Sequence, residues 1–294
     1  MKPTVSVVMT CYNYEKYVAQ SIESVLSQTY KDFELIIIND GSTDNSEFVI
    51  NHYRKDKRVH YIIQDNAGQA RAKNTGIKSS CGKYIAFLDA DDLWEKEKLE
   101  LQLPPFMKNE TGVVYSNAIW IDGENREIGR GWGSGYFRPR SGQVANHLIY
   151  DNFIPFSSAI VRKECIDKVG MFDESLKMSI DWDLWLRMSL HYEFDYVDRH
   201  LIKYRWGHIG QMSKNQIERL RCSYIIMQRF LESNSNRFKT SEIKEAWAYA
   251  YCNRANYYKS NNQKLSNEYF ISAIKQLPTY YPAWIGLLKN IVRM

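Results

Sequence analysis

The sequence predicts an α/β fold built on a mostly parallel sheet, followed by a smaller C-terminal helical region. Three observations predict it. Over the first 92 residues, apolar runs of strand length alternate with segments of helical periodicity. One run, LIII at 35–38, is apolar at consecutive positions, as in a strand buried on both faces. Beyond about residue 215 the strand-like runs stop and the charge changes sign. Residues 1–214 carry 27 Lys and Arg against 29 Asp and Glu, whereas residues 215–294 carry 12 against 5, so the overall +5 is a −2 part followed by a +7 part.

The elements follow in order. Residues 5–10, 33–39, 59–64 and 83–88 read as strands. Between the first two, 15–28 reads as a helix, because Val18, Ile22, Val25 and Leu26 share one helical face. Residues 42–52 and 67–79 are the next helices. Strand–helix alternation implies parallel strands with right-handed crossovers, and such sheets bind ligands at the carboxyl ends of their strands. Further on, 112–121 reads as a strand, 129–142 (GRGWGSGYFRPRSG) as a mobile Gly-rich loop, and 158–161 as a short strand. Residues 163–169 read as a short helix, 181–190 as a helix and 194–205 as a strand, with helix from about 215 to the end.

Composition excludes several classes. At 294 residues and 44% hydrophobic, the chain is long and apolar enough for one large domain or a domain with an appendage. No apolar run approaches the roughly 18–20 residues of a spanning helix. The N-terminus MKPTVSVVMT has no signal-peptide core. Five scattered cysteines form no C-x-x-C pair and fit a reducing, cytosolic setting. No G-x-G-x-x-G or P-loop motif follows a strand, which argues against dehydrogenase and P-loop functions. The turn after the first strand lacks glycine, which argues against a nucleotidyltransferase.

Each strand end is polar. Thr10, Cys11, Tyr12 and Asn13 follow the first strand, and Asp40-Gly-Ser-Thr-Asp44 follows the second. Asn66-Ala-Gly68 and Arg71 follow the third, and Asp89-Ala-Asp91-Asp92 the fourth. Three carboxylates in four residues repel one another unless a cation or hydrogen bonds compensate, and a hard divalent ion would do so. The plainer reading is an acidic turn before a helix. Asp40 either starts a turn or accepts a bond from a nucleobase edge. Tyr12 is core or a stacking face, and Arg71 is a solvated helix residue or a phosphate contact. In SIDWDLWLR (179–187), Asp181 either caps a helix or, desolvated among tryptophans, is a general base. His208 stands in a Gly-flanked turn.

Taken together, PTVSVVMTCYN, IIINDGSTDNS, NAGQARAKNTGI, YIAFLDADDLW, SIDWDLWLR and YRWGHIGQMS occur in one order over residues 3–214. In that order they resemble glycosyltransferase family 2, inverting nucleotide-sugar-dependent enzymes of GT-A fold. The resemblance implies a catalytic domain over 1–214, with a nucleotide-binding half at 1–92 and an acceptor half at 93–214. It implies that Thr10, Tyr12, Asn13 and Asp40 hold the nucleoside, with Arg71 near base or phosphates and Asp91 on the ribose. Asp92 would hold Mn²⁺ or Mg²⁺, supported by Asp89 and with His208 nearby. Asp181 would take the proton of the acceptor hydroxyl. The implied activity is transfer of a hexosyl or N-acetylhexosaminyl group from a nucleotide sugar, a UDP-sugar by preference, to a glycan or lipid-linked acceptor in cell-surface polysaccharide synthesis. One departure stands out: Ile180 occupies the place before Asp181 where the family usually has Glu.

Residues 215–294 predict a helix pair, 246–260 and 264–277. Tyr257, Phe270, Ala273 and Pro278 are similar to one tetratricopeptide unit, without a second copy. A single unit needs a surface to pack on: the catalytic part, a second copy or a partner. The +7 fits a solvated face or peripheral docking on the inner face of the cell membrane. No nucleic-acid module accompanies it. A catalytically inactive, nucleotide-sugar-binding scaffold acting through this tail is the alternative reading.

Overall fold

The computed structural model describes residues 2–131, 138–208 and 210–292. The Gly-rich segment 129–142 therefore has its residues 132–137 outside the described residues. So do Ile209 of the YRWGHIGQMS stretch and the last two residues. The described chain forms two compact units. One comprises residues 1–144 and 152–216, the other residues 145–151 and 217–294.

The first unit is built on a sheet of nine strands among the described residues. These are β1 (Val5–Cys11), β2 (Phe33–Asp40), β3 (Val59–Gln64), β4 (Tyr84–Asp89), β5 (Leu93–Trp94), β6 (Thr111–Ile121), β7 (Glu127–Arg130), β8 (Ile160–Arg162) and β9 (Glu193–Arg205). Their order is β3-β2-β1-β4-β8-β6-β9-β5, with β7 paired to β6. Strands β1 to β4 are mutually parallel, β8 runs antiparallel to both β4 and β6, and β6 and β9 are parallel. Inserting β8 between β4 and β6 has one decisive effect. It returns β6 and β9 to the direction of β1–β4, so six carboxyl ends share one edge.

Helices cover the sheet: α1 (Val18–Leu26), α2 (Ser46–Asn51), α3 (Gln69–Ser79), α4 (Lys98–Gln102), α6 (Lys163–Val169) and α7 (Ile180–Ser189) belong to this unit, and α5 (Ala145–Leu148) to the other. Every residue of β2 is buried, as its unbroken apolar run requires. Leu35 and Ile37 pack with Val18, Ile22 and Val25 of α1, while Ile36 and Ile38 pack with Ala72 of α3. Fully burying one such side chain contributes about 1.5–3 kcal/mol, so these contacts fix the strand order that brings the polar ends together.

The elements depart from expectation where polar side chains claim the backbone. The helix expected over 42–52 begins only at Ser46, because residues 41–45 form a loop bonded to the end of β1. The strand expected over 158–161 is Ile160–Arg162, and Phe156–Ser158 is a 3-10 turn. Two short strands, β5 and β7, lack a sequence signal.

The second unit contains α8 (Gln216–Asn234), α9 (Thr240–Tyr258), α10 (Gln263–Gln276) and α11 (Tyr281–Val292), with α5. The Asn262 side chain accepts from Leu265 N at 3.0 Å, capping α10. α10 packs along α9, and α11 along α10. The core is small-residue and aromatic: Ala248, Cys252, Ala255, Phe270, Ala273 and Ala283. At Gly286 an added Cβ would lie 2.2 Å from the Phe270 ring, so glycine sets the α10–α11 approach. Among the described residues no helix is long and apolar enough to cross a membrane.

Candidate active site

The shared edge of the sheet carries the predicted residues. At the end of β2, Asp40 accepts from Gln64 Nε2 at 2.7 Å, Ala67 N at 3.0 Å and Gly68 N at 2.9 Å. It thereby fixes the turn that starts α3. Gly41 continues at φ +72°, and a Cβ there would meet Asn66 N at 2.7 Å, so the two turns touch backbone to backbone. Asn13, itself at φ 60°, accepts from Thr43 N at 2.8 Å and donates its own N–H to Ser42 Oγ at 3.0 Å. The loops after β1 and β2 are therefore stitched together. Beside them Tyr12 is exposed over 45% of its surface, an open aromatic face.

Arg71 stands on the exposed face of α3. The cation that reaches the acidic cluster is Lys73, two residues on and buried. Its Nζ lies 2.9 Å from Asp89 Oδ1 and 3.2 Å from Thr10 Oγ1, and 4.6 Å from the Phe156 ring centroid. Thr10, expected at the nucleoside, thus meets the Lys73–Asp89 pair. Asp89 remains open over 35% of its side chain.

Asp91 and Asp92 diverge. Asp91 Oδ2 lies 2.8 Å from His208 Nε2, and the His208 ring sits edge-on to Tyr14 and Tyr17 at 5.9 and 5.0 Å. Asp92 is only 1% exposed, and it accepts from Arg205 N at 2.9 Å and from Ser157 Oγ at 2.5 Å. Both Asp92 oxygens are thus bonded within the protein, and Asp91 and His208 beside it are also buried. Arg205 secures the whole turn: its Nε donates to Asp91 O at 2.8 Å and its guanidinium lies 4.4 Å from the Tyr17 ring centroid. Burial raises both Asp89 and Asp92 above the usual carboxylate range; Lys73 offsets part of this at Asp89, and the charges of Asp91 and Asp89 add to it at Asp92. Burial and the neighbouring carboxylates also hold the Tyr14 phenol well above its usual range.

Asp181 is the second residue of α7, whose N-cap Ser179 takes a left-handed φ of 57°. Its Oδ2 accepts from Asn152 Nδ2 at 2.7 Å. Burial raises Asp181 above the ordinary carboxylate range, backbone N–H groups at the helix start lower it, and Asp89 raises it again. Feeling Asp89 and Lys73, it belongs to the same cluster.

Sequence reasoning missed Lys73, Ser157, Asn152 and Arg205 as site residues. Only Lys73 and Arg205 lie inside recognisable motifs. Among the described residues, no group of three or more His, Cys, Asp and Glu is arranged to hold a metal. Two donors, Asp91 and His208, do face each other. A magnesium-like ion typically takes one or two protein ligands and completes its shell with substrate phosphates and water, and imidazole nitrogen suits manganese as well. The residues fit such an ion.

Comparison with known proteins agrees with this geometry. The family model "Glycosyl transferase family 2" matches residues 6–170. An uncharacterized glycosyltransferase of Rickettsia bellii is 39% identical over 203 residues, covering 68% of this chain and 28% of the relative. One of Methanocaldococcus jannaschii is 36% identical over 214 residues, 69% of this chain and 71% of the relative. The chain thus spans less than a third of the length of the Rickettsia bellii protein. Among solved structures, S. aureus TarS 1-349 in complex with UDP-GlcNAc superposes with a TM-score of 0.72 at 19% identity, covering 99% of this chain and 89% of that one. A mannosyltransferase of Pyrobaculum calidifontis in complex with GDP-Man and Mn²⁺ gives 0.65 at 13%, covering 99% and 81%. These likenesses establish a GT-A fold, and with the matched family model they establish that the chain belongs to glycosyl transferase family 2.

Proposed function

We propose that the protein is an inverting glycosyltransferase that moves a sugar from a nucleotide sugar, with a UDP-sugar preferred, to an acceptor hydroxyl, with a divalent ion bound at the donor. The observation that carries this reading is the clustering at one sheet edge of the Asp91–His208 pair, the Lys73-held Asp89 and the buried-end carboxylate of Asp181. The binding of UDP-GlcNAc and of GDP-Man with Mn²⁺ by structural neighbours supports the donor class.

The roles follow from the side chains. Tyr12 offers a face for the base, and the stitched loops of Asn13 and Asp40 hold the wall beside it. Asp89, half-buried and oriented by Lys73, would contact the ribose in place of Asp91. Asp91 and His208 Nε2 would hold the ion, which when bound offsets the charge of the departing diphosphate. Asp92 holds the loop rather than the ion. Asp181 accepts the proton of the acceptor hydroxyl as that oxygen bonds to the anomeric carbon. The bond from that carbon to the diphosphate breaks, and the diphosphate leaves with the electron pair, inverting the configuration. A carboxylate raised by burial is a better base near neutral pH than a solvated one. The Asn152 amide fixes which Asp181 oxygen remains for the hydroxyl.

A thermal-shift panel of UDP-, GDP- and dTDP-sugars, each with and without Mn²⁺, tests donor and ion together, because stabilisation tracks affinity. The expected result is a metal-dependent shift with UDP-sugars, lost in Asp91→Asn and His208→Gln. Shifts of equal size without metal would overturn the ion assignment. Donor binding without transfer or donor hydrolysis would turn the reading into the scaffold alternative.

A further inference from the structure

Helix α11 has two unlike faces. One is committed to the protein: Ala283, Gly286 and Asn290 are buried, and Asn290 Nδ2 donates to Ser266 Oγ at 2.9 Å and to Asn267 Oδ1 at 2.8 Å. The other carries Tyr281, Trp284, Ile285, Leu288, Ile291 and Val292, exposed over 44% of the residue at Trp284 to 84% at Val292. These positions recur at three- and four-residue steps, so they form one stripe along the helix. Six large apolar side chains on a 12-residue helix make a patch of roughly several hundred Å², the scale at which exposed apolar surface marks an interaction site. Trp284 donates its indole N–H to Pro278 O at 2.8 Å, which satisfies its polar end and holds the ring in place.

Charge selects the occupant. The unit that carries α11 has 12 Lys and Arg against six Asp and Glu, a net +6, while the rest of the chain is −1. Pairing α11 with a second copy would bring two +6 bodies together. An anionic bilayer offers the opposite sign and an apolar boundary. Lys289 is exposed beside Leu288. At about 1.5 Å per residue the helix is far too short to span a bilayer, so it would lie in the interface. We infer that α11 is an interfacial helix that docks the protein on anionic lipid, its stripe in the headgroup–acyl boundary and Lys289 at the lipid phosphates.

Vesicle flotation of the full chain tests this. Phosphatidylcholine vesicles with about one-third phosphatidylglycerol should carry the protein up the gradient, and pure phosphatidylcholine vesicles should not. The double variant L288Q/I291Q, altered only at exposed positions, should keep its thermal melt and lose roughly tenfold in bound fraction. Lys289→Glu should lose less, about fivefold. Absence of flotation on anionic vesicles, or equal flotation on both compositions, would overturn the assignment. So would a concentration-dependent dimer in sedimentation that L288Q/I291Q dissolves, since the stripe would then be a self-interface. Donor-induced thermal shifts should be the same in all variants, which separates this test from the catalytic reading.

Discussion

The two units bury polar side chains to different ends. In the sheet unit the buried or half-buried polar groups face one another: Lys73 meets Asp89, His208 meets Asp91, and Asn152 meets Asp181. In the helical unit they face backbone or uncharged side chains, as Asn290 faces Ser266 and Asn267. Arg254 donates to Leu220 O at 2.7 Å and to Ala250 O at 3.1 Å, Ser266 donates to Ala255 O at 2.8 Å, and Gln263 donates to Asn290 O at 2.7 Å. A carbonyl cannot titrate, so bonds of the second kind only satisfy and fasten. Mutually facing ionisable groups store opposing charge that a ligand can rearrange. The contrast separates a working cluster from a structural one without reference to any relative.

Three substitutions break or sharpen that contrast, the largest effect first. Asp181→Asn should lower kcat by about 10²–10⁴-fold while leaving the donor-induced thermal shift intact, checked by paired turnover and binding assays. Retained turnover would remove Asp181 from the chemistry. In the other unit, Arg254→Met should cost about 1–3 kcal/mol in urea melts, because Leu220 O and Ala250 O lose their donor, with turnover per folded molecule unchanged. A kcat loss there would erase the distinction between the units.

The third substitution probes a residue of the sheet unit that resembles neither class. Lys98 is fully buried, lies 4.2 Å from the Trp94 ring centroid, and has no hydrogen-bond partner for its Nζ among the described residues. Burial holds its pKa well below the usual lysine value of 10.5. The folded chain therefore releases this proton at a lower pH than the unfolded chain does. Between the two values the unfolded state binds more protons, and stability contributed by this site rises with pH up to about 10.5. Lys98→Met should gain about 1 kcal/mol at pH 7, and the gain should shrink as pH rises toward 10. A constant difference across that range would show that Lys98 stays charged in the folded state as it is in the unfolded one.

Much of the edge was legible in the sequence because strand ends announce themselves. The consecutive apolar residues of β2 and β4 point to buried strands, and the polar residue that ends each run marks where the edge lies. Asp40, Asp89 and Asp91 were read that way, and Asp181 from the tryptophan-flanked helix start of SIDWDLWLR. What escaped has physical reasons. Positions 71 and 73 are about 200° apart on a helix, so which basic residue faces inward depends on which side of α3 packs on the sheet. Ser157 and Asn152 are ordinary loop polars until a crossing chain places them 65 and 29 residues away in sequence from their partners. Asp91 and Asp92 take different partners because neighbouring residues in a turn point apart, and composition does not say which one Arg205 will claim. Lys98 lies in the charged run EKEK, which reads as solvated surface. The reversal at β8, which makes the sheet mixed, leaves no periodicity of its own.

The pair proposed to hold the ion spans 117 residues of chain, and the bond from Arg205 to Asp92 spans 113. Contacts this distant in sequence close late in folding, because their loop entropy must first be offset by the strands between them. A chain folded only through β8 has Asp89, Asp91 and Asp92 but lacks His208. On the proposed roles, ion affinity would therefore appear only after β9 has docked and brought His208 to Asp91, in the last step of building the sheet.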